Sequence, residues 1–197
     1  MRSLIIRPIQ AGFTLVELLI VVIIIAILAA IVVPQFSSAT RDAQEAALDA
    51  NLAGMRSAIE LYRVQHSSVY PGNVSGTATC AGTAGATAAG AQAFIDQMLM
   101  YSTASGLTCT TTDTNFRFGP YYRREKGIPT DPITQKGSVA ADIVVTAAGT
   151  PLVTGTGATA TCATCGTTGG WAYDRTSGQI VMNSTVNDSK GLPYFTH

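Results

Sequence analysis

A run of 21 residues, Phe13-Thr14-Leu15-Val16-Glu17 and on to Val33, constrains this chain more than any other feature. From Leu18 to Val33 no side chain is polar. As a helix rising about 1.5 Å per residue the run spans roughly 30 Å, the thickness of a bilayer's hydrocarbon core. Arg2 and Arg7 precede it and no acid does. By the positive-inside rule the N-terminal end is cytoplasmic and the rest of the chain lies across the membrane. A cleaved secretory signal would have a shorter apolar core followed by a small-residue cleavage site, and a plain signal anchor would stay in the bilayer. Neither accounts for Glu17. A carboxylate near the start of an apolar helix costs a few kcal/mol to insert, and marks function unless it snorkels to the headgroups.

Charge supports a membrane or an assembly and excludes a general nucleic-acid binder. Only 12% of the 197 residues are charged, against about 25% in an ordinary soluble domain. Twelve basic residues balance twelve acidic ones. Without Arg2 and Arg7 the body from residue 13 onward has ten basic and twelve acidic side chains, a net of −2. No nucleic-acid partner is expected of such a surface.

Beyond the apolar run the helical pattern continues. Leu48, Leu52, Met55, Ile59 and Tyr62 form one apolar stripe. Arg41 with Glu45, and Arg56 with Glu60, are opposite charges four apart that mark a solvated face. The pattern predicts one helix from Phe13 to about His66, bent at Pro34 and stopped by Tyr70-Pro71-Gly72. Such a helix would be roughly 80 Å long, so lipid or other subunits must cover half of it. His66 would sit as a cation at the helix end, where the dipole suits it. Asn73 to Ala91 reads as a loop. Gln92 to Ser102 reads as a short helix with Phe94, Met98 and Tyr101 on one side. Ile143-Val144-Val145 is a strand candidate, and Val139 to Gly170 is Thr/Ala/Gly-rich surface structure. Gly170 to Tyr173 and Gln179 to Met182 flank Asp174-Arg175-Thr176-Ser177-Gly178 as a hairpin. The expected class is α+β, a long helix on a small antiparallel sheet.

Gly12-Phe13-Thr14-Leu15-Val16-Glu17 followed by an all-apolar helix closely resembles the type IV prepilin motif. The resemblance implies a type IV pilin-like fold and cleavage by a prepilin peptidase between Gly12 and Phe13, with Phe13 then N-methylated. Glu17 takes the family's fifth mature position, an assembly residue, and Pro34 its helix-bending proline. Ala11 departs from the basic residue often found before the glycine. Gly119-Pro120-Tyr121-Tyr122, Ile128-Pro129-Thr130-Asp131-Pro132 and the hairpin from Gly170-Trp171 resemble the major pseudopilins of type II secretion. The implied organisation is a leader at 1–12, a transmembrane and filament-core helix at 13–34, an amphipathic half at 35–66 and an α+β head at 67–197. The implied function is a structural subunit, not an enzyme. It would rest in a bacterial inner membrane as a single-pass protein with its head in the periplasm, then polymerise with copies of itself into a periplasmic or extracellular helical filament. An assembly platform and minor subunits would be partners. The alternative is a type IV pilin for adhesion, twitching or DNA uptake. Those pseudopilins also carry an acidic, calcium-binding C-terminal loop. Here Asn187-Asp188-Ser189-Lys190-Gly191 offers one carboxylate and a lysine, where calcium collects six to eight oxygens. No metal or cofactor is therefore expected.

Cys162-Ala163-Thr164-Cys165 is a C-x-x-C, and Cys80 and Cys109 are the other cysteines. A zinc site from all four, or thioredoxin-like chemistry, would make this a membrane-anchored redox or zinc protein. No βαβ pattern surrounds the motif, and a head outside the cytoplasm favours disulfides. Three connectivities exist. Cys80–Cys109 with Cys162–Cys165 is favoured, because it pins each Thr/Ala/Gly-rich segment locally. No catalytic constellation is present. His197 would be solvated, and Arg123-Arg124-Glu125-Lys126 reads as a solvated loop.

Overall fold

The structure is a computed structural model, which describes residues 12–74, 76–147 and 152–197. The leader residues 1–11, with Arg2 and Arg7, lie outside the described residues. So do Ser75 and residues 148–151 of the two Thr/Ala/Gly-rich stretches. The chain divides into two compact units, the first ending at Arg41 and the second running Asp42–His197.

Helix α1, Leu15–Gln65, is continuous over 51 residues and contains Pro34. In the first unit every described side chain of the apolar run is exposed, from Phe13 at 84% to Val32 at 40%. Among the described residues this is the one helix long and apolar enough to cross a membrane. Pro34 has no N–H to give the carbonyl of Ala30, one turn back. Just beyond it the hydroxyls of Ser38 and Thr40 bond to the carbonyls of Gln35 and Phe36.

In the second unit the predicted stripe is the core. Leu48, Leu52, Met55, Ile59 and Tyr62 are each at most 1% exposed. They cluster with Phe94 and Met98 of helix α2 (Ala91–Leu99) and with Trp171, Tyr173, Ile180 and Met182. Burying each of these large side chains stabilises the fold by about 1.5–3 kcal/mol. Two short antiparallel ladders stand apart from the main sheet. One pairs β1 (Tyr101–Ser102) with β2 (Thr108–Cys109). The main sheet begins with β3 (Ile143–Thr146). The other short ladder pairs β4 (Val153–Thr154) with β5 (Thr161–Cys162). The predicted hairpin is β6 (Trp171–Asp174) and β7 (Ile180–Met182), antiparallel with Trp171 opposite Met182 and Tyr173 opposite Ile180. Alternation sorts its two faces. Trp171, Tyr173, Ile180 and Met182 face the cluster on α1, while Ala172 and Val181 pack with Leu152, Ala160 and Phe195.

Four features differ from the sequence expectation. β3 joins the sheet parallel to β6, with Ile143 opposite Trp171, so the three-stranded sheet is mixed. The second helix ends at Leu99: Met100 turns extended, and Tyr101 and Ser102 pair with Cys109 and Thr108 instead of completing a helical turn. Arg56 does not pair with Glu60. It donates to the carbonyl of Ile180 and to the main-chain oxygen of His197, leaving Glu60 to Arg63 at 2.8 Å. Glu45 is buried, not solvated.

Asp174 makes the hairpin turn. Its carboxylate accepts the backbone N–H groups of Thr176 and Ser177 and the Ser177 hydroxyl. The turn closes through Gly178 at φ +75°, where a Cβ would fall 2.1 Å from the Tyr70 ring. Only glycine fits that close approach.

Candidate processing and assembly site

Gly12, Phe13 and Thr14 precede α1 in exposed, non-helical backbone. The first helical bond runs from the Leu18 N–H to the Thr14 carbonyl at 3.2 Å, which makes Thr14 the N-cap. The Thr14 hydroxyl accepts the Glu17 N–H at 3.2 Å. The Glu17 Oε2 in turn accepts the Thr14 N–H and the Thr14 hydroxyl, each at 2.8 Å. This is a reciprocal capping box of the Thr-x-x-Glu kind. It holds the start of the helix two residues past Phe13 and leaves the Gly12–Phe13 bond in open chain. A Cβ on Gly12 would meet nothing within 4 Å among the described residues. Nothing in the described structure requires glycine there. Thr14 was missed in reading the sequence for function, although its three-residue offset from Glu17 is itself the signal.

The head carries a second polar constellation that the sequence did not reveal. Three helix residues reach the C-terminal segment. Glu45 accepts the Ser189 N–H at 2.8 Å, the Ser189 hydroxyl at 2.6 Å and the Tyr194 hydroxyl at 3.2 Å. Burial pushes the Glu45 carboxyl up, and the Ser189 and Tyr194 bonds outweigh it, so the net shift is downward. Asp49 Oδ1 lies 2.8 Å from His197 Nδ1, and Arg56 donates to the His197 oxygen at 2.7 Å. His197 Nε2 lies 3.3 Å from Asp188 Oδ2. The His197 side chain is therefore mostly covered, not solvated. Asp188 Oδ1 accepts the N–H groups of Lys190 at 2.8 Å and Leu192 at 2.7 Å. Burial alone would raise the Asp188 carboxyl, but these bonds and His197 hold it below its ordinary value. The loop does not fit a calcium ion: hydrogen-bond donors, not further oxygens, converge on its one carboxylate, Asp188.

His66 is a further correction. It is 1% exposed and not a cation at the helix end. Its ring nitrogens lie 2.9 Å from the Tyr62 carbonyl and 3.0 Å from the Ser102 hydroxyl. The cysteine sulfurs are joined Cys80 to Cys109 and Cys162 to Cys165, with none free. That leaves no thiolate for zinc. Arg123, Arg124, Glu125 and Lys126 are all exposed.

Comparison with known proteins bears on the N-terminal segment. Residues 7–33 match the family model described as the prokaryotic N-terminal methylation motif. The chain is 48% identical over 58 residues to the type IV narrow pilus major component PilA5 of Thermus thermophilus, covering 29% of this chain and 50% of that protein. It is 36% identical over 67 residues to the type II secretion system core protein G of Pseudomonas aeruginosa, covering 34% and 46%. It is 39% identical over 67 residues to a fimbrial protein of Neisseria meningitidis serogroup B, covering 34% and 39%. The chain thus spans half or less of the length of the curated relatives it matches. No solved structure matches it. Motif, relatives and the α+β fold with its long apolar helix support a type IV pilin-like family. The chain's relatives come from both branches of that family, pilus and secretion.

Proposed function

We propose that this chain is a filament subunit made as a prepilin, cut after Gly12 and N-methylated on Phe13. The observation that carries the reading is the geometry around Gly12. The Gly12–Phe13 bond lies in exposed, non-helical chain one residue before an N-cap, and among the described residues nothing demands glycine there. A glycine that packs against none of the described residues fits a requirement of the enzyme that reads the site. Leu15 to Val33 would hold the subunit in the inner membrane, with the head in the periplasm, and then form the core of a homopolymer. Glu17 would set the register between neighbours through the Phe13 ammonium of the next subunit, and Pro34 would bend the core helix. An assembly platform and minor subunits would handle the polymer, which we assign to the pseudopilus of a type II secretion system. The 48% identity to a pilus component favours a second reading, a surface pilin.

Intact mass of filament protein tests the first step. Chains should start at Phe13 with one added methyl group, and Gly12→Val should leave full-length precursor. A filament chain beginning at Met1, or beyond residue 30, would overturn the prepilin reading. Fibre length on cells separates the two branches. Short fibres confined to the envelope, with secreted proteins accumulating when the gene is deleted, fit the pseudopilus. Long surface fibres fit the pilin.

A further inference from the structure

We infer that a doubly protonated His197 locks the C-terminal loop to helix α1, bridging Asp49 and Asp188 in place of a divalent cation. The argument is one of donors and acceptors. Each ring nitrogen of His197 faces a carboxylate oxygen, Nδ1 on Asp49 at 2.8 Å and Nε2 on Asp188 at 3.3 Å. A carboxylate accepts and does not donate, so both nitrogens satisfy their partners only when both carry a proton. A neutral ring would turn one lone pair onto a carboxylate. The imidazolium is thus a single positive charge held between two acidic side chains from segments about 140 residues apart in the chain.

Other charged groups around it fit this role. Arg56, about two turns further along α1 from Asp49, binds the main-chain oxygen of His197 and so fixes the ring's backbone. Glu45, one turn before Asp49, holds Ser189 and Tyr194 on either side of the bridge. The Tyr194 ring lies 5.8 Å from the imidazole. Asp188 is 2% exposed at its side chain, and its other oxygen is taken by the Lys190 and Leu192 N–H groups. These donors leave no ring of oxygens for calcium, and a cation between Asp49 and Asp188 would have to displace His197. The lock is consequently calcium-independent, and it has two pH limits. It weakens in acid as Asp188 takes up a proton and in alkali as His197 loses one. Asp49 is 59% exposed, so salt screens its half of the bridge more than the Asp188 half.

The test uses the full chain in detergent micelles. Addition of millimolar CaCl2 should leave the melting temperature of the head unchanged relative to EDTA. His197→Gln should melt at least about 2 °C lower than the parent at pH 5.5, and the gap should close by pH 9. The difference between the two proteins removes the contributions of titrating groups that His197 does not touch. Nitrogen-15 NMR of the parent at pH 6, with the His197 signals assigned by their loss in the variant, should show both ring nitrogens protonated. A calcium-dependent rise of several degrees would overturn the inference. So would a neutral His197 ring at pH 6, or a gap equal at pH 5.5 and 9.

Discussion

The rings of Tyr62 and His66 stack 3.7 Å apart with their planes within 3°, one turn apart at the end of α1. The Tyr62 carbonyl beneath them can only accept, so His66 Nδ1 carries the proton. In the neutral ring that burial favours, Nε2 accepts the Ser102 hydroxyl. The imidazole is neutral, and burial pushes its pKa below the ordinary value, with main-chain bonds to Tyr62 and Thr103 opposing. The unfolded chain therefore binds a proton that the folded chain refuses. The stability tied to His66 is complete above about pH 6.5 and is lost as pH falls toward the folded value. Subtracting the pH–stability curve of His66→Gln from that of the parent should leave a slope of up to about 1.4 kcal/mol per pH unit, positive with pH. A flat difference would show that His66 is not the acid-sensitive group.

Asp131 is a second internal hub. It is 0% exposed, and its carboxylate collects the N–H groups of Ile133, Thr134, Lys136 and Gly170 together with the Thr134 hydroxyl. It ties the turn after Ile128-Pro129 to the first residue before β6. Asp131→Asn keeps the shape but turns an NH2 toward donors whichever way the amide sits. Both Asp131→Asn and Asp131→Ala should destabilise the head by roughly 3 kcal/mol, the cost of leaving several buried donors unpaired. Denaturant midpoints would measure it. An asparagine variant as stable as the parent would mean that the hub tolerates a neutral acceptor.

The Cys80–Cys109 bridge spans 29 residues and the Cys162–Cys165 bridge 3. Cross-link entropy grows with loop length, so the first should contribute roughly 3–4 kcal/mol and the second less. Unreduced peptide mapping should find no free thiol. The double variant Cys80→Ala/Cys109→Ala should then melt lower than Cys162→Ala/Cys165→Ala. The reverse order would show that the short bridge constrains more than its own turn.

What the sequence showed and what it hid divide along a physical line. The stripe Leu48, Leu52, Met55, Ile59, Tyr62 and the hairpin around Asp174 to Gly178 were legible, because a 3.6-residue period and turn chemistry are local properties. The Gly12 to Glu17 motif was legible for the same reason. Glu45, Arg56 and His197 were misread as solvated because each has a partner more than 120 residues away. No local pattern says that an acid on a helix will meet Ser189. His66 was misread as a helix-end cation because burial by Ser102 and Phe118 depends on how the loop after α2 folds back. β3 was found as a strand, but its parallel pairing with β6 follows from a long connection that carries no register signal of its own.

On the proposed reading, local structure and assembly would compete for the Glu17 carboxylate. In the subunit its Oε2 is taken by Thr14, so the acid is satisfied before any neighbour arrives. Processing after Gly12 would create an ammonium at Phe13, and a neighbour stacked with the right axial offset would bring that charge to Glu17. In a low-dielectric core a wrong offset leaves the carboxylate without a counter-charge, at a cost of roughly 3–5 kcal/mol by analogy with broken buried pairs. Three variants separate the cap from the charge. Thr14→Ala removes the hydroxyl of the capping box and keeps the acid, costing about 1 kcal/mol of helix stability, and should still assemble. Glu17→Gln keeps a box-competent side chain and loses the charge. Glu17→Ala loses both. All three should insert in the membrane and be cut after Gly12, because none of the changes makes the helix more polar. At matched membrane levels, filament yield should fall strongly for Glu17→Gln and Glu17→Ala alike and stay near the parent for Thr14→Ala. Full yield from Glu17→Gln would show that capping, not charge, is what the position supplies, and full yield from Glu17→Ala would leave it no role in register.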